Sequence, residues 1–362
     1  MVAKHFRSLA ISDIRQETGD CISVSFRIPD EWKEEFKYTA GQNITLRSII
    51  KGEEIRRSYS ICSSPHESEL RIAIKKLDEG LFSSHAHTHF KPAQWLDVMA
   101  PTGNFTLTLK DSNRKHYVAF TAGSGITPVI SILKTILKEE PNSRFTLIYG
   151  NKTRSSVIFR EELLALKNDH PEQFQLIPIF SREKTDAPVF EGRIDVEKCQ
   201  LIFKQILPLA ADQEYLLCGP AAMIFSVRSW LTEQKVDLKK IHFELFSDPG
   251  DQDAERKKAS SEQKKSAEAN SVVTIRLDGM SADFQIPFDG PSILDAAILA
   301  GADLPYACRA GVCASCRAKL VKGKVTMDQN YSLAEEEIEQ GFILACQSHP
   351  ASENLTIDFD IR

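Results

Sequence analysis

The stretch LPYACRAGVCASC, residues 304–316, places Cys308, Cys313 and Cys316 at a C-x4-C-x2-C spacing, and Cys346 follows after 29 further residues. Four thiolates at such a spacing hold a two-iron, two-sulfur (2Fe-2S) cluster. The small residues between the cysteines let backbone N–H groups approach the sulfur atoms, and Gly311 allows backbone angles that residues with a side chain avoid. The sequence therefore predicts a 2Fe-2S centre ligated by these four cysteines.

Zinc and disulfide bonds are the alternative uses of these cysteines. A structural zinc site usually combines two short-spaced cysteine pairs, whereas Cys346 has no cysteine near it in sequence. Disulfide bonds need an oxidising compartment, and no other feature of the sequence indicates one. We therefore favour the cluster over zinc. We expect the remaining cysteines to be free thiols: Cys21, Cys62, Cys199 and Cys218.

The cysteine spacing resembles that of plant-type ferredoxins, and the resemblance covers residues 271–362. This region has predicted strands at 271–277, 282–287, 320–325 and 355–361, and a predicted helix at 292–300 with Ser292 as its cap. The pattern fits the α+β β-grasp fold of that family. Residues 249–270 contain no Val, Ile, Leu, Met or aromatic side chain, so we expect a flexible linker before this domain.

Composition limits the remaining possibilities. The 362 residues leave room for two or three domains, and no apolar run approaches the roughly 18–20 residues that span a bilayer. Residues 1–13 lack the apolar core of a signal peptide, so we expect a cytoplasmic protein. The formal net charge of −5 gives no support to nucleic-acid binding. Residues 271–362 are the acidic part, with 13 acidic and 7 basic residues.

Residues 1–110 alternate polar and apolar side chains in short segments such as 6–11, 21–26 and 43–46, which predicts a small antiparallel β-barrel. Within it lie an R-x-Y-S motif, Arg57-Ser58-Tyr59-Ser60, and a G-x-x-S motif, Gly80-Leu81-Phe82-Ser83. In this order the motifs resemble the flavin domain of the ferredoxin–NADP reductase superfamily. The resemblance implies that Arg57 pairs with the flavin phosphates, Tyr59 packs on the isoalloxazine and Ser60 lies near its reactive nitrogen. It also implies that residues 80–83 bind the pyrophosphate that FAD has and FMN lacks.

Residues 111–248 alternate strands with helices, which is typical of an α/β domain with a doubly wound parallel sheet. The predicted strands are 117–121, 145–149, 174–180, 214–218 and 241–243, and the predicted helices are 129–137, 157–167, 196–206 and 221–231. The first strand runs into a glycine loop and a helix, for which Thr127 is the expected N-cap and Pro128 a first-turn residue. The superfamily binds NAD(P) with a G-x-G-x-T-P loop here, matched by Gly123, Ser124, Gly125, Ile126, Thr127 and Pro128.

Three further strand ends match the superfamily. Cys218-Gly219-Pro220, with Met223, resembles its nicotinamide turn, in which the cysteine lies beside the hydride carbon. Ser181 and Arg182 stand where NADP-dependent members bind the 2′-phosphate, and Asn151 and Arg154 end the neighbouring strand. Since arginine can bind a phosphate in bidentate fashion, we expect NADPH, with NADH as the alternative.

The segment Phe243-Glu244-Leu245-Phe246 resembles the superfamily segment whose acid and aromatic side chain approach the flavin. Ser60, Cys218 and Glu244 are therefore the expected catalytic residues. The three domains imply one circuit, in which electrons pass from NADPH to FAD, then to the 2Fe-2S cluster and to an outside acceptor. We expect an oxygenase or other acceptor protein that docks transiently on the acidic ferredoxin domain.

The domain order looks most like that of reductases that serve phenylacetyl-CoA epoxidases, which are di-iron oxygenases. Related reductases with the same order serve Rieske ring-hydroxylating oxygenases, acyl desaturases or hybrid-cluster proteins, and these remain alternative acceptors. The expected domains are thus a flavin barrel at 1–110, a nucleotide domain at 111–248, the linker at 249–270 and a ferredoxin domain at 271–362.

Overall fold

The computed structural model of this protein describes residues 6–246 and 270–361. These residues form two compact units, one made of Arg7–Pro101 and Phe105–Phe246. The other contains the described residues from Asn270 onward, with Phe6 and the short segment Thr102–Asn104. The predicted linker lies outside the described residues except for Asn270, which begins a strand. None of the helices in the described residues is long and apolar enough to cross a membrane.

The first unit begins with an antiparallel barrel, as predicted. It consists of β1 (Phe6–Thr18), β2 (Cys21–Arg27), β3 (Asn43–Ile50), β4 (Glu53–Ser60), β5 (Leu70–Lys75) and β6 (Trp95–Thr102), with helix α1 (Leu81–His89). The strand order is β4-β3-β6-β1-β2-β5. The two end strands are joined where Ile61 bridges Ile72 and the Cys62 N–H donates to the Arg71 carbonyl at 2.8 Å. Alternate apolar side chains fill the barrel, among them Leu9 and Ile11 of β1.

The same unit continues with a five-stranded parallel sheet. Its strands are β7 (His116–Ala122), β8 (Arg144–Asn151), β9 (Phe174–Phe180), β10 (Gln213–Cys218) and β11 (Ile241–Glu244), and its helices are α2 (Ile126–Glu139), α3 (Arg160–Asp169), α4 (Val196–Gln205) and α5 (Ala221–Glu233). The order β11-β10-β7-β8-β9 is that of a doubly wound fold and confirms the prediction. The carboxyl ends of all five strands therefore meet at one edge of the sheet.

The predicted starts of two helices that connect the strands of this sheet are wrong. Helix α2 begins at Ile126 with Gly125 as its N-cap, so Thr127 lies inside the helix and its Oγ1 donates to the Ser124 carbonyl at 3.0 Å. Helix α3 begins at Arg160 because Phe159 takes a left-handed backbone conformation with φ of 59°, which interrupts the apolar pattern that starts earlier.

The second unit has the β-grasp pattern. It consists of β12 (Asn270–Leu277), β13 (Met280–Pro287), α6 (Ile293–Leu299), β14 (Arg317–Lys322), β15 (Val325–Met327), α7 (Glu335–Glu339), β16 (Phe342–Leu344), β17 (Ser348–Pro350) and β18 (Asn354–Asp358). The main sheet has the order β13-β12-β18-β14-β16, with β12 and β18 parallel. Ser292 caps α6 as expected, since its Oγ accepts from the Asp295 N–H at 3.2 Å. The single strand predicted at 320–325 is wrong, because Gly323 turns the chain with φ of 95° between β14 and β15.

A buried ion network holds the barrel against the nucleotide sheet. Glu162 of α3 accepts from Arg71 of β5 at 3.0 Å and from Lys134 of α2 at 2.9 Å, and Lys134 also contacts Glu67 at 2.8 Å. Burial raises the pKa of Glu162, but the charges and hydrogen bonds of Lys134 and Arg71 outweigh it and leave that pKa below its usual value. A hydrogen bond of 2.6 Å from Ser131 of α2 to the Ser63 carbonyl adds a second connection.

The variant Glu162→Gln tests this network. The side chains of Arg71 and Lys134 are only 7% and 8% exposed, so removing their shared carboxylate should cost about 2 kcal/mol of unfolding free energy at pH 7. Because folding lowers the pKa of Glu162, its contribution is present above the ordinary value of 4.5 and is lost as the pH falls through the lower folded value. Urea unfolding at pH 7 and under acid conditions should therefore show the difference shrinking with acidity.

The matched control is Glu161→Gln, whose side chain is 83% exposed and pairs only at the surface with Arg160 at 2.9 Å. It should change the unfolding free energy by less than about 0.5 kcal/mol. Equal effects of the two variants at pH 7 would contradict the role assigned to the buried network.

Candidate functional site

The R-x-Y-S motif lies on β4 with its side chains on alternating faces. Arg57 and Tyr59 project from one face, where the Tyr59 ring lies 5.8 Å from that of Phe82. Ser58 projects from the other face and its hydroxyl bonds that of Thr45 at 3.1 Å. Arg57 is exposed and its Nη1 donates to its neighbour's carbonyl. The strand thus presents a cation and an aromatic ring together, as a flavin phosphate and a ring system require, while the Ser58 side chain does not join them.

The G-x-x-S motif forms a tight turn at the start of α1, with Gly80 as its N-cap. The Ser83 hydroxyl accepts from the Leu77 N–H at 3.1 Å and donates to the Gly80 carbonyl at 3.2 Å. A Cβ at Gly80 would lie 2.9 Å from the Leu77 Cβ, so only glycine fits here. Phe82 is buried in the barrel core, and Leu81 is half-buried. Because both residues lie in the first turn of α1, their side chains hold this helix start in place while their backbone N–H groups can bind an anion.

The glycine loop and the nicotinamide turn meet through their backbones. A Cβ on Gly125 would overlap the Cys218 carbonyl and would lie 2.8 Å from the Gly219 nitrogen. A Cβ on Gly219 would lie 2.8 Å from Cε of Met223, which closes the turn behind it. Pro220 is the N-cap of α5, and Ile126 is fully buried beneath the loop. The loop is also fixed from β8, since the Tyr149 hydroxyl donates to the Gly123 carbonyl at 2.9 Å.

The three expected catalytic residues come together at this edge. Cys218 and Glu244 are register partners at the ends of β10 and β11. The Ser60 hydroxyl, at the end of β4 in the barrel, donates to Glu244 Oε2 at 3.1 Å. Burial, followed by the nearby Glu244 carboxylate, raises the pKa of the Cys218 thiol well above its usual value, so the thiol is neutral. Phe246, two residues later, is 41% exposed.

The residues expected at the 2′-phosphate lie at the ends of β8 and β9. The Ser181 N–H donates to the Asn151 carbonyl at 2.9 Å, and Arg182 is exposed beside it. The Asn151 side chain is buried, and its Nδ2 makes no hydrogen bond of normal geometry among the described residues. Arg154, by contrast, is paired with Glu183 at 2.8 Å.

Sequence reasoning missed Lys75, at the end of β5. Its Nζ lies 4.0 Å from where a Cβ on Gly123 would be, which brings a cation from the barrel to the glycine loop. Asp20 contacts the same Nζ at 3.5 Å. A lysine directly after the apolar run Ile72-Ala73-Ile74 was the available signal, but only the tertiary structure shows where the strand ends.

The four cluster cysteines are arranged as two pairs. Cys308 hydrogen-bonds with Cys313, and Cys316 hydrogen-bonds with Cys346. Within the described ranges, no three metal-ligating side chains converge on a single ion position. Two thiol pairs fit a two-iron cluster with two thiolates for each iron better than one zinc ion. The bond from Cys308 lowers the pKa of Cys313, and that from Cys316 lowers the pKa of Cys346.

Backbone N–H groups surround these sulfur atoms, as the small residues of the loop predict. The Ala310 N–H donates to the Cys308 sulfur at 3.3 Å, and the Gly311 N–H bonds Cys346. Gly311 has φ of 75°, and a Cβ there would lie 3.1 Å from the Gln329 carbonyl oxygen. Such donors stabilise the negative charge of a ligated cluster.

Three family models match the chain in this order. An oxidoreductase FAD-binding domain matches residues 8–107, an oxidoreductase NAD-binding domain matches 120–229, and a 2Fe-2S iron-sulfur cluster binding domain matches 275–351. The phthalate dioxygenase reductase structure, 24% identical, covers 98% of both chains with a TM-score of 0.59, and confirms the three-part fold. The chain is therefore an NAD(P)H-dependent oxidoreductase with FAD-binding, NAD-binding and 2Fe-2S domains.

Two relatives share its full length. One of the subunits of the Escherichia coli 1,2-phenylacetyl-CoA epoxidase is 40% identical over 99% of this chain and 98% of its own. The ferredoxin reductase component of the Rhodococcus rhodochrous 3-ketosteroid-9-alpha-monooxygenase is 31% identical over 97% of this chain and 96% of its own. The chain belongs to this family of oxygenase reductase components, which pass electrons to oxygenase partners.

Gly125→Ala tests the backbone contact in the nucleotide site. The added methyl group must displace the Cys218–Gly219 peptide, so NADPH binding should weaken about ten- to hundredfold. Titration of the purified flavoprotein with NADPH measures the change, with an unfolding curve to establish that the variant folds. Gly19→Ala is the control, since a Cβ there meets nothing within 4 Å. NADPH affinity equal to wild type in a folded Gly125→Ala protein would show that this contact does not shape the site.

Proposed function

We propose that this protein reduces the oxygenase component of a di-iron phenylacetyl-CoA epoxidase with electrons from NADPH. The 40% identity to an epoxidase component along almost the whole chain supports this acceptor over Rieske oxygenases, acyl desaturases or hybrid-cluster proteins. The exposed Arg182 supports NADPH over NADH. When bound, FAD takes a hydride from the coenzyme and returns its electrons one at a time to the 2Fe-2S cluster.

We assign the cofactor contacts to the residues of the matched motifs. Arg57 and the turn at 80–83 would hold the FAD phosphates, and Tyr59 would pack on its ring. The loop at 123–128 and the turn around Gly219 would hold the coenzyme pyrophosphate and nicotinamide. The four cysteines of the thiol pairs would ligate the cluster. The close backbone approaches at Gly80, Gly125 and Gly219 support the phosphate and coenzyme assignments.

The observation that carries the hydride-transfer part of the proposal is the hydrogen bond from Ser60 to Glu244. It joins the end of a barrel strand to the carboxyl edge of the nucleotide sheet, where a nicotinamide and a flavin must meet for hydride transfer. Cys218 lies beside Glu244 as a buried, neutral thiol, so the proposed meeting point of nicotinamide and flavin has an uncharged side chain on this side. Ser60 and Glu244 would orient the two rings and exclude water between them.

We also keep the domain boundaries at 110, 248 and 270 as proposals. They are supported by the three matched ranges and by the assignment of each sheet to one range. We also propose a cytoplasmic location, supported by the four cysteines outside the cluster motif, Cys21, Cys62, Cys199 and Cys218, which form no disulfide among the described residues.

The acidic helix α7 supports docking through the ferredoxin domain. Its Glu335, Glu336 and Glu339 are exposed, whereas Glu337 contacts Arg317 at 2.8 Å. The loop that precedes α7 is fixed to the cluster loop, since the Ser332 hydroxyl donates to the Gly311 carbonyl at 3.1 Å. A basic partner attracted by these carboxylates would therefore be drawn to the cluster.

Cys308→Ser tests the order of the cofactors. The variant should lose the cluster absorbance and keep its FAD, because Cys308 and the flavin motifs lie in different compact units. A visible spectrum and the amount of flavin released on denaturation measure both. Cys199→Ser, at a buried cysteine of α4 away from the cluster loop, should keep both cofactors. Joint loss of flavin and cluster in the Cys308 variant would refute their separate placement.

Salt and charge test the docking surface. Reduction of the epoxidase oxygenase component should slow as salt rises from about 0.05 to 0.5 M, because screening shortens the range of charge steering. At low salt, Glu335→Gln/Glu336→Gln should slow it about three- to tenfold, since both carboxylates are exposed on the helix that follows the loop fixed to Gly311. Flavin reduction by NADPH should be unchanged.

A double variant with the same charge change serves as the control. Glu31→Gln/Glu34→Gln removes two exposed carboxylates from the barrel and should leave partner reduction as it is. Indifference of partner reduction both to salt and to the α7 variant would exclude this docking surface.

A further inference from the structure

The loops after β8 and β9 are joined edge to edge where the coenzyme's adenosine end is proposed to bind. The Ser181 and Arg182 N–H groups donate to the carbonyls of Asn151 and Lys152, each at 2.9 Å. The side chain of Glu183 adds two further contacts between the same two loops. Its Oε2 accepts the Arg154 backbone N–H at 2.8 Å, and its Oε1 contacts the Arg154 guanidinium at 2.8 Å.

Arg154 is therefore held on two sides. Besides its ion pair with Glu183, its guanidinium lies 5.6 Å from the centre of the Phe180 ring at the end of β9. The Glu183 side chain is 26% exposed and the Arg154 side chain 61%, so the pair lies at the surface beside the exposed Arg182. A dianionic phosphate at this edge would meet the exposed Arg182, with Lys152 and Lys184 exposed on the same two loops, and one cation already neutralised by a carboxylate.

We propose that Glu183 is a specificity-determining residue that limits how strongly the 2′-phosphate of the coenzyme is bound. Its carboxylate neutralises Arg154 and adds negative charge next to the phosphate, so Arg182 rather than Arg154 discriminates between NADPH and NADH. The same carboxylate positions the β8 loop through the Arg154 N–H. This inference rests on the proposed use of NADPH, and it names the residue that sets how strongly NADPH is preferred over NADH.

Two variants separate the charge of Glu183 from its positioning role. Glu183→Gln keeps an oxygen acceptor for the Arg154 N–H and removes the charge, whereas Glu183→Ala removes both. Isothermal titration with 2′,5′-ADP and with 5′-AMP measures the phosphate contribution directly, because these probes carry the adenosine end and undergo no hydride chemistry. The protein used is the full chain with its cofactors.

We expect Glu183→Gln to bind 2′,5′-ADP about two- to fivefold more tightly, the range of an exposed ion pair, with 5′-AMP unchanged. Glu183→Ala should weaken both probes, since the loop loses its anchor. Arg182→Ala should lose about tenfold or more in 2′,5′-ADP affinity. Arg154→Ala should matter little alone but should abolish the gain in the Glu183→Gln background, which is the coupling a double-mutant cycle detects. Glu161→Gln, which removes a nearby surface ion pair with Arg160, should change neither probe.

Two results would overturn the inference. One is an unchanged or weaker 2′,5′-ADP affinity in a folded Glu183→Gln protein. The other is a loss in Arg154→Ala as large as that in Arg182→Ala, which would mean that Arg154 leaves Glu183 for the phosphate. The proposed coenzyme is tested separately by the wild type. If the wild type binds both probes equally, NADPH preference fails, yet the inference still requires Glu183→Gln to gain affinity for 2′,5′-ADP alone.

Discussion

The close approach of Gly125 to the Cys218–Gly219 peptide is the contact on which the nucleotide site depends. It presses the loop after β7 against the turn after β10, so both backbones can face one coenzyme. Because β10 and β11 are parallel, Glu244 on β11 lies beside Cys218 at the same edge of the sheet. The Ser60 hydroxyl of the barrel donates a hydrogen bond to Glu244. Three residues far apart in sequence are thus placed by backbone geometry, and their side chains need little freedom of their own.

Hydride transfer requires the reacting atoms about 3–3.5 Å apart, so the barrel and the nucleotide sheet must keep a fixed relation. The structure meets this demand with two kinds of contact. The Ser60–Glu244 bond lies at the reacting edge, and the network of Glu162 with Arg71 and Lys134 lies where α3 and α2 face β5. A network that takes a shared carboxylate from two buried cations when disturbed penalises separation of the two parts. This explains why both parts form one compact unit.

The sequence predicts most of the fold because its signals are local. Strand β9 is found at the predicted residues, 174–180, since its apolar run is interrupted only by Gln175 and is bounded by polar residues. Where tertiary structure overrides local pattern, the prediction fails: Phe159 takes a left-handed conformation ahead of α3, and Gly323 divides one apparent strand into two. The pairing of Arg154 with Glu183 could not be foreseen either, because it depends on two loops meeting at a sheet edge.

Charge counts along a sequence have the same limit. Residues 271–362 carry an excess of six acidic residues. In the structure, some of these carboxylates pair with groups of the same domain, whereas others face solvent. Glu337 accepts from the Ala334 N–H at 3.0 Å and pairs with Arg317, and Asp295 lies 3.6 Å from Arg309 of the cluster loop. Carboxylates paired in this way contribute little to the field that a partner senses at a distance, since their cations cancel them. Under the proposed docking, the attraction of a basic partner would depend on the carboxylates that remain exposed, three of which, Glu335, Glu336 and Glu339, stand together on α7.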